Sequence, residues 1–213
     1  MSEEKLEIAV VLLSGGVDSA VCGLLCEATG ARVHAVTFDY GQRHKIEIEY
    51  ARRLARSKGW AHSVLSVPLM KGSALTAGRH DRSFLDDRRL KASPKASPYY
   101  VPARNTIFIA HAIAVAESLG AVSVWLGANA DDRAGFPDCT EGYFRAWAGV
   151  LDAGIATDVH LVTPLLHTSK HKIMELAAEL GLEDAETWSC YNPKGRSPCG
   201  VCPPCLLRSG GEA

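Results

Sequence analysis

The residues best suited to chemistry form a short run near the N-terminus, Ser14-Gly15-Gly16-Val17-Asp18-Ser19. Two adjacent glycines allow positive φ angles and bring backbone N–H groups close to a ligand. A helix that begins directly after them adds unpaired donors and a partial positive charge. The two serines offer hydroxyl groups that can bind phosphate oxygens or cap the helix. These features predict an anion-binding loop.

Asp18 does not fit a bare phosphate site, because a carboxylate repels phosphate unless a metal ion lies between them. We therefore expect Asp18 to help hold Mg²⁺ while the loop binds the phosphates of a nucleotide. The loop is not a Walker motif, since no Lys-Ser/Thr pair follows the glycines at the required spacing. The alternative is a capped strand-to-helix turn that binds no ligand.

The second chemical signal is a group of four cysteines near the C-terminus, Cys190, Cys199, Cys202 and Cys205. Four thiolates complete a tetrahedral Zn²⁺ site and leave no open position, so such a site is structural. An iron–sulfur cluster and four free thiols are the alternatives. The total of seven cysteines is odd, and residues 1–7 lack the apolar core of a signal peptide. A disulfide framework is therefore not expected, and we predict a cytoplasmic enzyme.

Three further segments carry polar groups. Residues 39–44 combine an acid, an amide, a guanidinium and two ring-bearing side chains. Arg104 and Lys170 each stand in the first turn of a predicted helix, where a cation is unfavourable unless an anion binds beside it. An exposed surface side chain is the alternative for each of them.

The loop at residues 129–138 contains three acidic side chains and one aromatic ring. Phe136 can stack on a heterocycle while the aspartates read its ring N–H groups. Asp131 or Asp132 can also contribute to a magnesium site. The alternative for Asp138 is that it caps the helix predicted after it.

The elements that must position these residues alternate between strand and helix. Apolar runs predict buried strands at 6–13, 32–38, 61–67, 121–126 and 159–162. Helical spacing predicts helices at 18–29, 45–58, from 99–105 to 119, 138–154 and 170–180, the last one capped by Thr168. This order predicts an α/β fold with a doubly wound, parallel, five-stranded sheet of the Rossmann-like type. Ligands then bind beyond the carboxyl ends of the strands.

Composition agrees with a globular protein of 213 residues, of which 47% are hydrophobic. The net charge of −1 implies no broad surface for nucleic acid, and no apolar run reaches the length of a membrane span. We divide the chain into a nucleotide-binding domain at 1–185 and a zinc-binding tail at 186–213. Residues 68–98 show no periodicity and are expected to form a lid or a disordered surface loop.

Together these motifs resemble the 7-cyano-7-deazaguanine synthase family, within the ATP pyrophosphatase superfamily of adenine nucleotide alpha hydrolase-like folds. The matching segments run from near residue 6 to Arg208. They are Ser14-Gly15-Gly16-x-Asp18-Ser19, residues 37–44, Val101-Pro102-x-Arg104-Asn105, residues 135–139, Thr163-Pro164-Leu165, Lys170 and the four cysteines.

The resemblance implies a ligase of queuosine biosynthesis that converts 7-carboxy-7-deazaguanine, ammonia and ATP into the nitrile through an amide, with Mg²⁺ and Zn²⁺ as metals and a homodimer as the assembly. It implies ATP binding by Leu13, Ser14, Gly15, Gly16, Val17, Asp18, Ser19, Ala20, Val21, Cys22 and Gly23. The resemblance implies that the catalytic residues are Ser14, Asp18, Ser19 and Lys170. It implies that the residues in contact with the deazaguanine are Tyr40, Gln42, Arg43, Arg104, Phe136 and Asp138.

Two departures from the family pattern stand out. Ala103 occupies a position that is usually Gly, and Arg133-Ala134 replaces a hydroxyl or aromatic residue followed by Ser. Two other functions remain open. One is a related enzyme that joins the same carboxylate to another amine and stops at the amide. The other is a zinc-stabilised nucleotide-binding module without turnover.

Overall fold

The computed structural model describes residues 6–67, 73, 75–76, 97 and 99–209. Its strands are β1 (Ile8–Leu12), β2 (Arg32–Asp39), β3 (Ala61–Ser66), β4 (Ser123–Trp125) and β5 (His160–Val162). Its α-helices are α1 (Val17–Ala28), α2 (Ile46–Ser57), α3 (Arg104–Leu119), α4 (Glu141–Gly154), α5 (Lys170–Glu179) and α6 (Pro203–Arg208). The strands form one parallel sheet in the order β3-β2-β1-β4-β5. This confirms the predicted α/β fold and its five strands.

The central strand β1 is buried on both faces. Val10 and Leu12 pack into one apolar cluster together with Ile109 of α3. Ala9 and Val11 face the opposite side, in a cluster that α1, α2 and α5 complete. Because helices cover both faces, the strands read as continuous apolar runs rather than as alternating patterns.

The sheet order places a ligand crevice between β1 and β4. The chain leaves β1 towards β2 on one side and returns to β4 on the other, which defines a topological switch point. Gly127 follows β4 and lies so close to α1 that a Cβ atom there would sit 2.7 Å from the carbonyl oxygen of Asp18. The loops after β1 and β4 therefore meet at the same edge of the sheet.

The start of one helix and the cap of another differ from the sequence prediction. The helix predicted from residue 138 begins at Glu141, and Thr140 is its N-cap because its hydroxyl accepts from the Tyr143 N–H group at 3.3 Å. Asp138 instead lies in a short 3-10 turn, and its carboxylate accepts from the Asn105 N–H group at 3.2 Å. The prediction that Thr168 caps α5 is also wrong. Ser169 is the cap, and its hydroxyl accepts from the Lys172 N–H group at 3.3 Å.

The C-terminal segment packs on α2 and on the first loop. Trp188 and three of the cysteines form a small cluster against Ile46 and Tyr50. The Trp188 N–H group donates to the Gly15 carbonyl oxygen at 2.7 Å. The cysteine segment thus contacts the loop that follows β1.

The predicted lid or surface loop at 68–98 lies almost entirely outside the described residues. In the described part of the chain, no helix is long and apolar enough to cross a membrane.

Candidate active site

The loop after β1 is held by its own serines. The Ser19 hydroxyl donates to the Gly16 carbonyl at 2.9 Å, accepts from the Ser14 N–H group at 3.1 Å and lies 3.0 Å from the Ser14 hydroxyl. Neither serine caps α1, whose N-cap residue is Gly16. The N–H groups in the first turn of α1 therefore have no acceptor inside the helix and can bind an anion.

Gly15 permits this loop to exist. Its φ angle is +90°, and a Cβ atom there would lie 2.2 Å from the Glu47 carbonyl oxygen of α2. No other residue fits, since both the backbone angle and the available space exclude a side chain.

Asp18 and Lys170 form an ion pair at the N-terminus of α1. The second carboxylate oxygen of Asp18, Oδ1, is buried and has no hydrogen-bond partner among the described residues. Asp131 holds the backbone of Lys170, because its carboxylate accepts a hydrogen bond from the Lys170 backbone N–H group at 2.6 Å. The sequence predicts that Asp18 and Lys170 both act at the phosphates of a nucleotide, and the structure brings their side chains into contact.

Asp132 is the second carboxylate that faces this region. The Asn129 side-chain oxygen accepts from the Asp131 and Asp132 N–H groups at 3.0 and 3.1 Å, which holds the loop in place. Burial, and then repulsion from Asp18, raise the pKa of Asp132 to about 6, although Lys170 and Arg104 act in the opposite direction. Two neighbouring carboxylates and an unpaired buried oxygen suit a hard divalent cation such as Mg²⁺.

Arg104 is the first residue of α3 and lies beside Tyr40. Its guanidinium carbon is 6.0 Å from the centroid of the Tyr40 ring. Burial is the largest effect and lowers the pKa of Arg104, but Tyr40 and Asp138 outweigh it, so the pKa is raised. Arg104 remains a cation at the positive end of a helix, an arrangement that favours an anionic ligand.

The backbone before Arg104 is strained. Ala103 has a φ angle of +55° and is the one non-glycine residue with positive φ in the described part of the chain. Alanine is disfavoured in this left-handed conformation by about 1–2 kcal/mol.

These side chains line one cavity of about 220 Å³ at the switch point. The wall contains the predicted site residues Leu13, Ser14, Asp18, Ser19, Tyr40, Arg104 and Phe136. Apolar side chains such as Phe108 and Leu126 complete it. A mostly apolar pocket with a few convergent polar groups is typical of a small-molecule site.

Four of the residues predicted for catalysis or substrate binding lie outside this wall. Lys170 contacts it through Asp18, and Asp138 contacts it through the backbone of Asn105. Gln42 is buried and holds a turn, accepting from the Tyr40 N–H group and donating to the Phe38 carbonyl. Arg43 lies in a separate recess and donates to Asn192 at 3.2 Å.

The predicted nucleotide segment also extends into α1, where its side chains are core. Ala20, Val21 and Cys22 are fully buried, and Gly23 packs on the ring of Trp60. These residues position the loop instead of lining the cavity.

Three wall residues carry chemistry that the sequence reading did not assign: His44, Glu47 and Tyr191. His44 stands at the end of the polar segment 39–44, which could have identified it. Tyr191 follows Cys190 directly, and only the fold of the cysteine segment brings it to the cavity.

The four cysteine sulfurs lie within 4.8 Å of one another. A tetrahedral zinc site with Zn–S bonds of about 2.3 Å requires sulfurs roughly 3.8 Å apart, so small movements suffice. The Cys199 N–H group donates to the Cys190 sulfur at 3.2 Å, a contact that stabilises a thiolate. The cluster fits a bound metal ion.

Comparison with known proteins decides the family. Residues 8–212 match the model of the family described as queuosine biosynthesis protein QueC. The chain belongs to the QueC family. A 7-cyano-7-deazaguanine synthase from Rhodopirellula baltica is 42% identical over 96% of this chain and 87% of its own length. A second one, from Syntrophobacter fumaroxidans, is 41% identical over 99% of this chain and 94% of its own.

Solved structures resemble the QueC-family chain in fold. NMN synthetase from Francisella tularensis aligns with a TM-score of 0.52 at 19% identity, over 98% of this chain and 79% of its own. A 4-thiouridine synthetase, solved in complex with RNA and bound ATP, aligns with a TM-score of 0.50 at 22% identity, over 95% of this chain and 49% of its own.

These findings confirm the resemblance seen in the sequence. Membership over nearly the full chain makes this protein a ligase-type enzyme of queuosine biosynthesis. The cavity between β1 and β4 is the candidate active site of this QueC-family member.

Proposed function

We propose that this member of the QueC family converts 7-carboxy-7-deazaguanine and ammonia into 7-cyano-7-deazaguanine by two successive adenylations. One observation carries the proposal. A single cavity contains the loop after β1, the Arg104 cation and the aromatic rings of Tyr40 and Phe136. An enzyme that transfers AMP to a planar heterocyclic acid needs these three parts in contact.

The chemistry explains why ATP is consumed. Ammonia does not displace oxygen from a carboxylate, because the oxygen is a poor leaving group. Attack of the carboxylate on the α-phosphate releases pyrophosphate, and ammonia then forms a C–N bond as AMP leaves with the electron pair. The resulting amide oxygen is adenylated in turn. Loss of AMP and of the N–H protons leaves the nitrile.

In this proposal, the N–H groups of the first turn of α1 and the hydroxyls of Ser14 and Ser19 bind phosphate oxygens. Lys170 stabilises the charge on the departing pyrophosphate. Asp18 and Asp132 would hold Mg²⁺, which neutralises phosphate charge when bound. The unpaired Oδ1 atom of Asp18 supports this role.

The deazaguanine is assigned to the Arg104 side of the cavity. Arg104 binds the substrate carboxylate, while Tyr40 and Phe136 contact the ring faces. Asp138 and Gln42 act from outside the wall, because they hold the backbone of the wall residues Asn105 and Tyr40. Arg43 lies in the neighbouring recess. Ammonia as the nitrogen donor, a homodimer, a cytoplasmic location and the absence of a nucleic-acid partner are further parts of the proposal.

The four cysteines are assigned to one structural Zn²⁺ ion. A closed set of four sulfurs leaves no position for a substrate. Metal analysis of purified protein is expected to give about one zinc per chain, and iron at that ratio would contradict the assignment.

The experiment is a product assay with 7-carboxy-7-deazaguanine, ammonium and Mg-ATP, followed by mass spectrometry. We expect the nitrile together with AMP. Amide as the final product would support the amide-forming alternative. Absence of AMP from folded, metal-loaded protein would contradict both ligase reactions and favour a binding module.

A further inference from the structure

A buried histidine lies at the cavity without a role in the chemistry above. His44 is 3% exposed and stands in the turn before α2. Its Nε2 atom lies 2.9 Å from a carboxylate oxygen of Glu47. The other oxygen of Glu47 accepts from the Gln42 side chain at 2.9 Å. Both ends of the carboxylate are thus fixed, and the imidazole is held in one orientation.

The second ring nitrogen of His44, Nδ1, is buried and has no hydrogen-bond partner among the described residues. Because Glu47 accepts from Nε2, the neutral ring carries its lone pair on Nδ1. A buried acceptor without a donor is unfavourable by about 1–3 kcal/mol. His44 also lines the cavity, so a bound ligand can supply the missing donor.

We propose that Nδ1 of His44 accepts protons from the reacting nitrogen, with Glu47 as the residue that orients the ring and stabilises the imidazolium. The inference rests on the proposed function. When ammonia attacks the acyl adenylate, the C–N bond forms, AMP leaves with its electron pair and one N–H proton passes to Nδ1. In nitrile formation the amide nitrogen loses its two remaining N–H protons, one when its oxygen is adenylated and one when the second AMP departs with its electron pair. Nδ1 accepts these protons one at a time and passes each to solvent before it accepts the next.

The other ionisable groups of the cavity are less suited to this task. Arg104 is a cation and cannot accept a proton. Burial raises the pKa of both Tyr40 and Tyr191, so each is a neutral phenol. Asp18 is paired with Lys170, which leaves Asp132 as the competing carboxylate among the described residues of the cavity. The titratable groups in contact with the His44 ring are Glu47 of α2 and Tyr191, whose ring centroid is 6.0 Å away.

The test is His44→Gln, because the Gln amide nitrogen replaces Nε2 and keeps the bond to Glu47 while Nδ1 is lost. Two steps are measured separately. The pyrophosphate released in the first turnover, measured with the carboxylate substrate but without ammonium, reports the first adenylation, which transfers no N–H proton. The rate of amide and nitrile formation at saturating ammonium reports the step assigned to His44. The matched control is His160→Gln, an exposed histidine on β5.

We expect His44→Gln to lower kcat for product formation by about 10²–10⁴-fold, with pyrophosphate release reduced by less than tenfold. The acid limb of the pH–rate profile is expected to disappear in this variant and to persist in the control. Glu47→Gln retains the base, so a smaller loss is expected, with the acid limb moved to lower pH.

Three results would overturn the inference. The first is that His44→Gln forms product at the wild-type rate and with the wild-type pH profile. An acid limb that disappears in Asp132→Asn but persists in His44→Gln assigns the proton to Asp132. If His44→Gln does not fold, Glu47→Gln with an unchanged pH profile contradicts the role. Failure of the wild-type protein to form any product would instead contradict the proposed function.

Discussion

Replacing Asp132 by Asn is expected to stabilise the free protein and to weaken its binding of Mg-ATP. Burial and repulsion from Asp18 raise the pKa of this carboxyl group from 3.8 to about 6. At about 1.4 kcal/mol per pKa unit, the shift corresponds to roughly 3 kcal/mol. Solvent screening at this partly exposed side chain reduces the expected gain to about 1–2 kcal/mol.

The pH dependence gives this prediction its sign. Folded protein binds the Asp132 proton more tightly than the unfolded chain does, so the ionised group destabilises the fold. The wild-type free energy of unfolding is therefore expected to lose this contribution as pH rises from about 4 to about 6. The Asp132→Asn variant has no carboxyl group to titrate at this position. Its gain in the free energy of unfolding over wild type should be near zero at pH 4 and complete at pH 7.

Urea unfolding at pH 4, 5, 6 and 7.5 measures the difference, with Asp152→Asn as the matched control. Asp152 is exposed on α4, and its substitution is expected to change the stability by less than about 0.5 kcal/mol. Mg-ATP should raise the thermal midpoint of wild type more than that of Asp132→Asn. A variant that is less stable than wild type at pH 7.5, or a difference independent of pH, would show that ionised Asp132 does not destabilise the fold.

Three other outcomes follow from the backbone and the cysteine cluster. Gly15→Ala places a Cβ atom 2.2 Å from the Glu47 carbonyl at positive φ, so chemical unfolding should show a loss of about 2 kcal/mol or more. Ala103→Gly removes the cost of φ +55°, and we expect the same measurement to show a gain of about 0.5–1 kcal/mol; a loss would contradict the strain. Removing the proposed zinc ion with a chelator should release the Trp188 contact with Gly15, a hydrogen bond that contributes about 1 kcal/mol. KM for ATP is then expected to rise about fivefold and to recover when zinc is restored. An unchanged KM would show that the cysteine cluster does not support the nucleotide-binding loop after β1.

The sequence was informative where chemistry follows from local backbone rules. Gly15-Gly16 after an apolar run predicts a loop at a helix start, and the four cysteines predict their own cluster. Arg104 was identified because a cation in the first turn of a helix needs an anion.

Tertiary packing decided what the sequence left open. Gln42 carries an amide that could bind a ligand, yet in the structure this amide is buried and donates to the Phe38 carbonyl and the Glu47 carboxylate. Asp138 precedes a helix as a cap would, but it bonds to Asn105 in a different helix. Whether Asp131 or Asp132 faces the cavity depends on the Asn129 turn, which spacing alone does not specify.

The proposed reaction depends on activation of the substrate carboxylate by AMP. The most direct measurement uses 7-carboxy-7-deazaguanine labelled with ¹⁸O in both carboxylate oxygens, with mass spectrometry of the AMP formed. Each adenylation transfers one substrate oxygen to AMP, so every AMP released during nitrile formation should carry one ¹⁸O atom. Unlabelled AMP, or label found in pyrophosphate, would contradict the proposed mechanism.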